Sequence, residues 1–546
     1  MTVRFKLLAL LFFIAPTIGF SQDFLGIKQS DWGGIYSMDA NPANIADNRY
    51  KFDISLIGFS ATFYNNYMSM EGSDLKGQLR ASMDTNQTSI FDDPDWLENY
   101  VTRDMDNENN RVYLANEIYG PSFFFQLKDG KYGVGMSSKV RNILNVDGIG
   151  STAAQLFYTS MTDSTLHTDP AAAVTPFSND FVNVQSMTWA EWGLNFGMVA
   201  YDQDEHFLKW GARLFLIQGL QASYAYMSNV EFLAHSDSTL SLFNSHVNYG
   251  HSTNYEITED ANGNLQLNYF PFTSKKGLGL DVGAVYEWRP DHEKYRYDMD
   301  GETNLWRRDL NKYKVRAEFS IKDIGRVNFD KGATSGDFLA DIDVWNLHAF
   351  DNVGGADAVL EVDSILNATF GTASSNETSF KMNLPTTIRL SADYNVWHDL
   401  YLNAEAFMAV QFKKDETKIH NISTYALTAR YDHKWGGIAI PVSYGGLAGL
   451  RVGTGLRAGP FMFGTRDLSL LFKKGKINGA DIYFGIHAGV PFTKVKDRDE
   501  DKVSDKVEKK RRKDSQNNNK TTSSSVYNRL TKTTTASTTN RQQAAK

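Results

Sequence analysis

The stretch Leu-Gly-Leu-Asp-Val-Gly-Ala-Val-Tyr-Glu-Trp at residues 278–288 decides the fold. Leu278, Leu280, Val282, Ala284, Tyr286 and Trp288 share one parity, and Gly279, Asp281, Gly283 and Glu287 share the other. A strand sends successive side chains to opposite faces, so this segment has one apolar and one polar face; a helix, with its 3.6-residue period, would mix the two sets. The same split recurs at 314–322, where Val315, Ala317, Phe319 and Ile321 oppose Lys314, Arg316, Glu318, Ser320 and Lys322. It recurs again at 388–396, 400–412 and 481–492. Alternating segments of about ten residues are the mark of a transmembrane strand.

A soluble sandwich alternates too, and the connections argue against it. Short turns at Lys128 to Gly130, Asp202 to Glu205, Val396 to Asp399 and Asp432 to Gly436 contrast with long polar connections near 71–110, 146–186, 236–262 and 330–380. Short turns on one rim and long loops on the other describe an outer-membrane barrel. Tyr132, Tyr201, Trp288, Trp397 and Trp435 stand beside the short turns, as an interfacial aromatic girdle requires. The expected fold is therefore all-β: a transmembrane antiparallel β-barrel over residues 50–492. About 14 strands are expected, near 50–70, 111–127, 131–145, 187–202, 206–235, 263–289, 312–328, 385–396, 399–413, 421–433, 437–445, 448–457, 466–473 and 480–492. An even number places both termini in the periplasm.

The flanks read differently. Residues 1–21 form a cleaved export signal, with Arg4 and Lys6 before an apolar core that Pro16 interrupts and a small-residue site at Gly19 to Ser21. Residues 22–49 form a periplasmic or lumenal segment. Residues 493–546 hold 15 Lys and Arg against 7 Asp and Glu, a net of +8. Removing that +8 and the +2 of the signal from the chain's −8 leaves −18 for residues 22–492. The tail has almost no large apolar side chains and is expected to be disordered.

Composition excludes several chemistries. Without cysteine there is no disulfide scaffold, zinc-thiolate site, iron–sulfur cluster, thiol nucleophile or cysteine-linked lipid anchor. No nucleophile elbow, phosphate loop, dinucleotide fingerprint or zinc-protease motif occurs, so no enzyme, cofactor or nucleic-acid partner is expected. The histidines, among them His206, His235, His246, His251, His292, His398 and His433, fall in loops or beside turns and read as solvated. The acidic runs at Asp104 to Glu108 and Asp298 to Glu302 lack glycine at the sixth position of a calcium loop and are not read as metal sites.

The inward face supplies the candidate lumenal charges: Asp281, Glu287, Glu318, Asp393 and Glu405 against Lys314, Arg316, Lys322, Arg389 and Arg430. They balance, as a structural filling of the barrel would. The lumenal faces that can be read are largely polar. In the tail, Lys509, Lys510, Arg511, Arg512 and Lys513 are the candidate contacts to peptidoglycan or an acidic periplasmic partner.

Three resemblances add to this. Tyr36-Ser-Met-Asp-Ala-Asn41-Pro42-Ala43-Asn44 resembles the Asn-Pro-Ala segment near the start of FadL-type porins and PorV-type secretion barrels, which implies a lumenal hatch at Asn41, Pro42 and Ala43. The segments at 277–286, 320–325, 384–394 and 455–460 follow in the order found in uncharacterised Bacteroidota outer-membrane barrels of this kind. The run Asp497 to Asp505 is similar to the calcium-binding linker repeats before OmpA-type peptidoglycan-binding domains, but Glu500 and Lys502 replace the usual glycines, so it reads as a linker without calcium. The function expected first is a non-enzymatic structural or accessory component of an envelope complex for secretion or barrel assembly, in contact with outer-membrane lipid. The alternative is a FadL-like channel for a hydrophobic small molecule, which requires an apolar lumenal pocket.

Overall fold

The structure, a computed structural model, describes residues 24–75, 77, 93, 95–162, 177–235, 239–253, 258–259, 265–266, 276–299, 302–332, 336–350, 353, 358–371, 378–410, 417–469 and 475–492. Residues 1–21, expected to be an export signal, and the basic tail with Lys509 to Lys513 lie outside the described residues.

One antiparallel sheet contains β1 (Tyr50–Asn65), β2 (Asn110–Tyr119), β3 (Ser122–Leu127), β4 (Tyr132–Ile149), β5 (Phe177–Gln203), β6 (His206–Ala234), β7 (Thr239–His251), β8 (Lys276–Trp288), β9 (Val315–Asp330) and β10 (Asp337–Asn346). It continues through β11 (Ser379–Asn383), β12 (Thr387–Trp397), β13 (Leu400–Ala409), β14 (Thr424–His433), β15 (Gly436–Gly445), β16 (Gly449–Val452), β17 (Thr454–Ala458), β18 (Phe461–Thr465) and β19 (Gly479–Pro491). Three wall positions are each built from two pieces: β2 with β3, β11 with β12, and β16 with β17. Pro121 and Pro385 stand at two of these breaks, where a residue without an N–H interrupts the ladder. Strand β7 pairs with the far end of β6, and β10 pairs in turn with β7, outside the wall. The wall is thus a closed barrel of 14 strands, sealed by β1 against β19 from Tyr50↔Pro491 to Tyr64↔Gly479.

The alternation decides which face meets lipid. Along β8 every second residue from Leu278 to Trp288 points outward, while Gly279, Asp281, Gly283, Val285 and Glu287 are buried inside. Leu390 on β12 and Leu402 on β13 are exposed, and their neighbours Arg389 and Asn403 are buried. The girdle is present at the short-turn rim, where Trp397 and Trp435 are each 70% exposed. The turns there are tight enough to hold Lys128, Asp129, Asp204 and His398 at positive φ.

Several boundaries differ from the sequence reading. The penultimate strand is Phe461–Thr465 rather than 466–473. The connections at 236–262 and 330–380, read as plain loops, carry β7, β10 and a helix, α1 (Ala358–Phe370). Their alternation is weak because neither face of β10 is wholly buried. At β9 the strict alternation breaks: Lys322 and Asp323 are both buried, Asp323 has φ 57°, and the pairing with β8 shifts between Leu280 and Val282. This β-bulge puts an extra carboxylate in the lumen. A separate small unit consists of the hairpin Arg296–Met299 and Glu302–Trp306.

Candidate functional site: a plugged, layered lumen

Residues 24–48 lie inside the short-turn half of the barrel. The backbone N–H of Asp47 donates to Gly130 O in the first tight turn (2.9 Å), and Lys209 Nζ on β6 donates to Ala46 O (3.0 Å). The segment is too short to fold alone. It takes its order from the wall: turns at 24–34, a short helix at Ile35–Ala40, and a single 3₁₀ turn at Pro42–Ile45. Asn41 caps that turn by accepting from Ala43 N (3.0 Å) and fixes it laterally by donating to Ala284 O (3.1 Å) and Phe319 O (3.2 Å).

The wall makes room for this turn with glycines. Gly133 pairs with Gly197, Gly197 with Gly211, and Gly211 with Gly283, so one row crosses β4, β5, β6 and β8. A Cβ at Gly211 would stand 2.5 Å from Pro42, and one at Gly197 2.5 Å from the Ile45 side chain. Gly283 and Gly133 face Asn41 and Ile45 in the same way. The hatch residues Asn41, Pro42 and Ala43 therefore sit in a track only glycine leaves open.

Three aspartates fasten the segment. Asp31 meets Arg316 (3.0 Å), Arg49 (3.6 Å) and the Tyr313 hydroxyl (3.2 Å). Asp39 meets Lys28 (2.6 Å), Lys139 (2.9 Å), Lys322 (3.6 Å) and the Tyr119 hydroxyl (3.1 Å). Asp47 meets Arg289 (2.8 Å), Lys312 (3.0 Å) and Arg308 (3.1 Å). Burial raises each carboxyl pKa, yet the surrounding cations outweigh it and hold Asp39 and Asp47 well below the usual carboxylate range and Asp31 below it. Lys312 moves the other way: burial, with Arg289, Arg49 and Arg308 beside it, brings its ammonium down to about 7 against the pull of Asp47.

The inward residues of β6, Phe207, Lys209, Gly211, Arg213, Phe215 and Ile217, climb from the plug towards the long-loop rim. Level with Arg213 is a second charge layer. Glu191 receives Arg213 (2.7 Å) and Arg141 (3.1 Å), Arg141 also reaches Glu117 (2.7 Å) and the bulge carboxylate Asp323 (2.7 Å), and Arg213 reaches Asp281 (3.2 Å). Level with Phe215 and beyond, the lumen turns apolar: Tyr64, Tyr113, Met187, Trp189, Phe329, Phe380 and Met382 form one buried cluster with Ile143, Ile217, Ile419 and Ile422. The expectation of a largely polar lumen is corrected here. The apolar lining comes from strand ends such as 187–189, 327–329 and 380–384, beyond the segments in which inward faces were read.

The sequence-derived charges divide between these layers. Arg316 contacts Glu318 (3.0 Å), Arg389 contacts Glu405 (2.7 Å), Arg430 contacts Asp393 (2.9 Å), and Glu287 contacts Arg289 (2.6 Å). All are buried. Lys314 is the exception: its Nζ lies over the outward-facing Tyr394 ring (4.7 Å to the centroid), and Lys312, two residues earlier, takes the inward place. The strand begins only at Val315, so parity does not extend back to Lys314. Sequence reasoning missed Lys28, Asp31, Asp39 and Asp47; the eight-residue spacing of the aspartates was the available signal. The histidines need a further correction. His251, read as solvated, is buried with Nε2 2.9 Å from Asp363 on α1, and His420 and His487 are buried against Asp147 and Asp53.

A cavity of about 30 Å³ remains among Lys28, Asp31, Asp47, Arg49, Lys312 and Arg316, room for about one or two water molecules. A larger one, about 520 Å³, opens at the long-loop rim between Tyr67, Met68, Arg103, Met105 and Lys476. Among the described residues no group of three or more His, Asp or Glu could hold a metal ion.

Among solved structures, the chain is similar to a FadL homologue of Pseudomonas aeruginosa, with 10% identity, 87% of this chain and 100% of that chain covered, and TM-score 0.38. It is also similar to the Ralstonia pickettii toluene transporter TbuX (11%, 87% and 99%, TM-score 0.27) and the monoaromatic hydrocarbon channel CymD (10%, 87% and 98%, TM-score 0.26). No curated protein matches the chain. The family described as "Family of unknown function (DUF5723)" matches residues 42–465, from the hatch turn to the end of β18, and the chain belongs to that family.

Proposed function

We propose that this outer-membrane barrel is a non-enzymatic channel for a hydrophobic small molecule, closed at rest by residues 24–48. The observation that carries the reading is the apolar layer of Tyr64, Tyr113, Met187, Trp189, Phe215, Phe329, Phe380 and Met382 in the long-loop half of the lumen. A barrel that only needed filling could close on paired charges throughout. Aromatic rings and flexible thioethers instead offer an adaptable surface to an apolar guest and exclude ions. In this reading the short-turn rim and both termini are periplasmic, and the guest enters from outside and waits above the charge layer until the plug yields.

Trp189 lines the apolar layer and tests the reading directly. Purified protein in amphipol, titrated with a brominated alkane or arene, should lose Trp189 fluorescence saturably, and a Trp189→Phe variant should lack that component. Quenching that is linear in quencher and unchanged in the variant would refute a binding layer.

The second reading is an accessory component of an envelope complex. It is favoured by the three cation-bound aspartates, which fasten the plug as a fixed part of the barrel. Affinity purification from membranes with mass spectrometry separates it: reproducible partners that survive a Trp189→Phe change would support it. The basic tail belongs to either reading, as an electrostatic tether to peptidoglycan or an acidic periplasmic surface. Its isolated 493–546 peptide should co-sediment with peptidoglycan at low salt and be released at high salt.

A further inference from the structure

The outward face of the barrel is apolar through most of its height, and one departure from this is ordered. Towards the long-loop side, strands β8, β9 and β11 carry exposed Lys276, Arg326 and Lys381. Leu278 pairs with Arg326, so Lys276 lies one outward step further on; Arg326 pairs with Asn383 and Asn328 with Lys381. The three cations thus share one face of three adjacent strands, with exposed Asn328 between them. Neighbouring strands are about 4.8 Å apart, so the group spans roughly 10 Å. Directly below it on β8 and β9 the outward residues are apolar: Leu278 is 63% exposed, followed by Leu280, Phe319 and Ile324. Asp330 is on the same face beyond Asn328 and is half-buried.

Height identifies the partner. β8 runs from Lys276 to the girdle residue Trp288. Twelve steps of about 3.4 Å, tilted by about 40°, put Lys276 about 30 Å above that girdle, just past an apolar band about 25 Å tall. Three cations held there meet the headgroup level of the opposite leaflet. A guanidinium between two ammonium groups suits phosphate, which arginine binds by two parallel hydrogen bonds.

We infer that Lys276, Arg326 and Lys381 form a docking surface for the phosphates of the outer-leaflet glycolipid, lipid A. The inference rests on the orientation given above, in which the long-loop rim is external, but not on the channel reading. The site would fix the barrel's depth and its annular lipid beside β8 and β9.

The test uses the full-length protein in amphipol and a fluorescent bis-phosphorylated lipid A. Saturable binding is expected, weakened at least tenfold in the triple variant K276Q/R326Q/K381Q and retained in K276R/R326K/K381R. Dephosphorylated lipid A should bind the native protein as weakly as the triple variant binds lipid A, and millimolar inorganic phosphate should not displace the lipid. Because the three side chains are exposed, the variants should keep the native shift in gel mobility on heating. Equal binding by the triple variant, by dephosphorylated lipid A or by phosphatidylglycerol would overturn the inference, as would displacement by free phosphate, which would mark a simple anion site. Orientation is checked separately: the chain has no cysteine, so Asp106→Cys should react with an impermeant maleimide on intact cells.

Discussion

Asp39 and Asp47 hold the plug by contacts that differ in one respect: Asp39 is shared among three lysines, whereas Asp47 faces two guanidiniums and Lys312. Removing one member of a buried ion cluster leaves the others unpaired and typically costs about 3–5 kcal/mol. Asp39→Asn and Asp47→Asn should each destabilise by that order in urea unfolding, whereas Lys312→Met, which leaves Asp47 two arginines, should cost little. The direction of each pKa shift sets the pH dependence. The aspartate pKa values are depressed on folding, so their contribution is complete above about 3.9 and is lost only as pH falls through the lower folded values. Lys312 is also depressed, to about 7, but as a base: burying its charge costs stability below 7, and that cost disappears as pH rises from about 7 towards 10.4. Stability should therefore rise between pH 7 and 9, and the rise should be absent in Lys312→Met. A native protein with a flat profile over that range would show that Lys312 is not buried as described. On the outer face, Leu390→Arg should cost about 2–4 kcal/mol if it lies near the midplane. The same change at a loop position should be neutral.

At the scale of elements, the glycine row and the 3₁₀ turn at Pro42–Ile45 are one fitting. Gly211→Val would drive a side chain into Pro42 and should unseat the turn, which limited proteolysis reads as new cleavage within residues 24–48. If the variant is as resistant as the native chain, the track does not hold the turn. Legibility in the sequence obeys the same physics. Strands β8, β9 and β12 to β15 were legible because one face meets lipid and the other packed charge, so parity sorts most of their residues. The hatch at Asn41, Pro42 and Ala43 could be placed near the lumen, but not its partners, because Gly133, Gly197, Gly211 and Gly283 are brought into one row only by sheet register. The flap strands β7 and β10 and the far ends of β5 and β6 were missed for a related reason. Beyond the lipid band the outward face is free to be polar, so alternation fades although the strand continues. Lys314 failed because a strand's parity has no meaning one residue before its first pair.

For the whole molecule, the layers define a sequence of barriers: an apolar layer, a charge layer with Glu191, Arg141 and Arg213, and a plug in its glycine track. On the channel reading proposed above, the first would pass an uncharged guest and no ion, and the last two would pass neither while seated. The central claim, that residues 24–48 are what closes the inner half, is tested most directly by single-channel recording in planar bilayers. Native protein should show almost no steady conductance, and a chain lacking residues 24–44, otherwise folded by its heat-dependent gel mobility, should conduct. Large stable currents from the native protein, or a deletion that stays as closed as the native chain, would contradict the account.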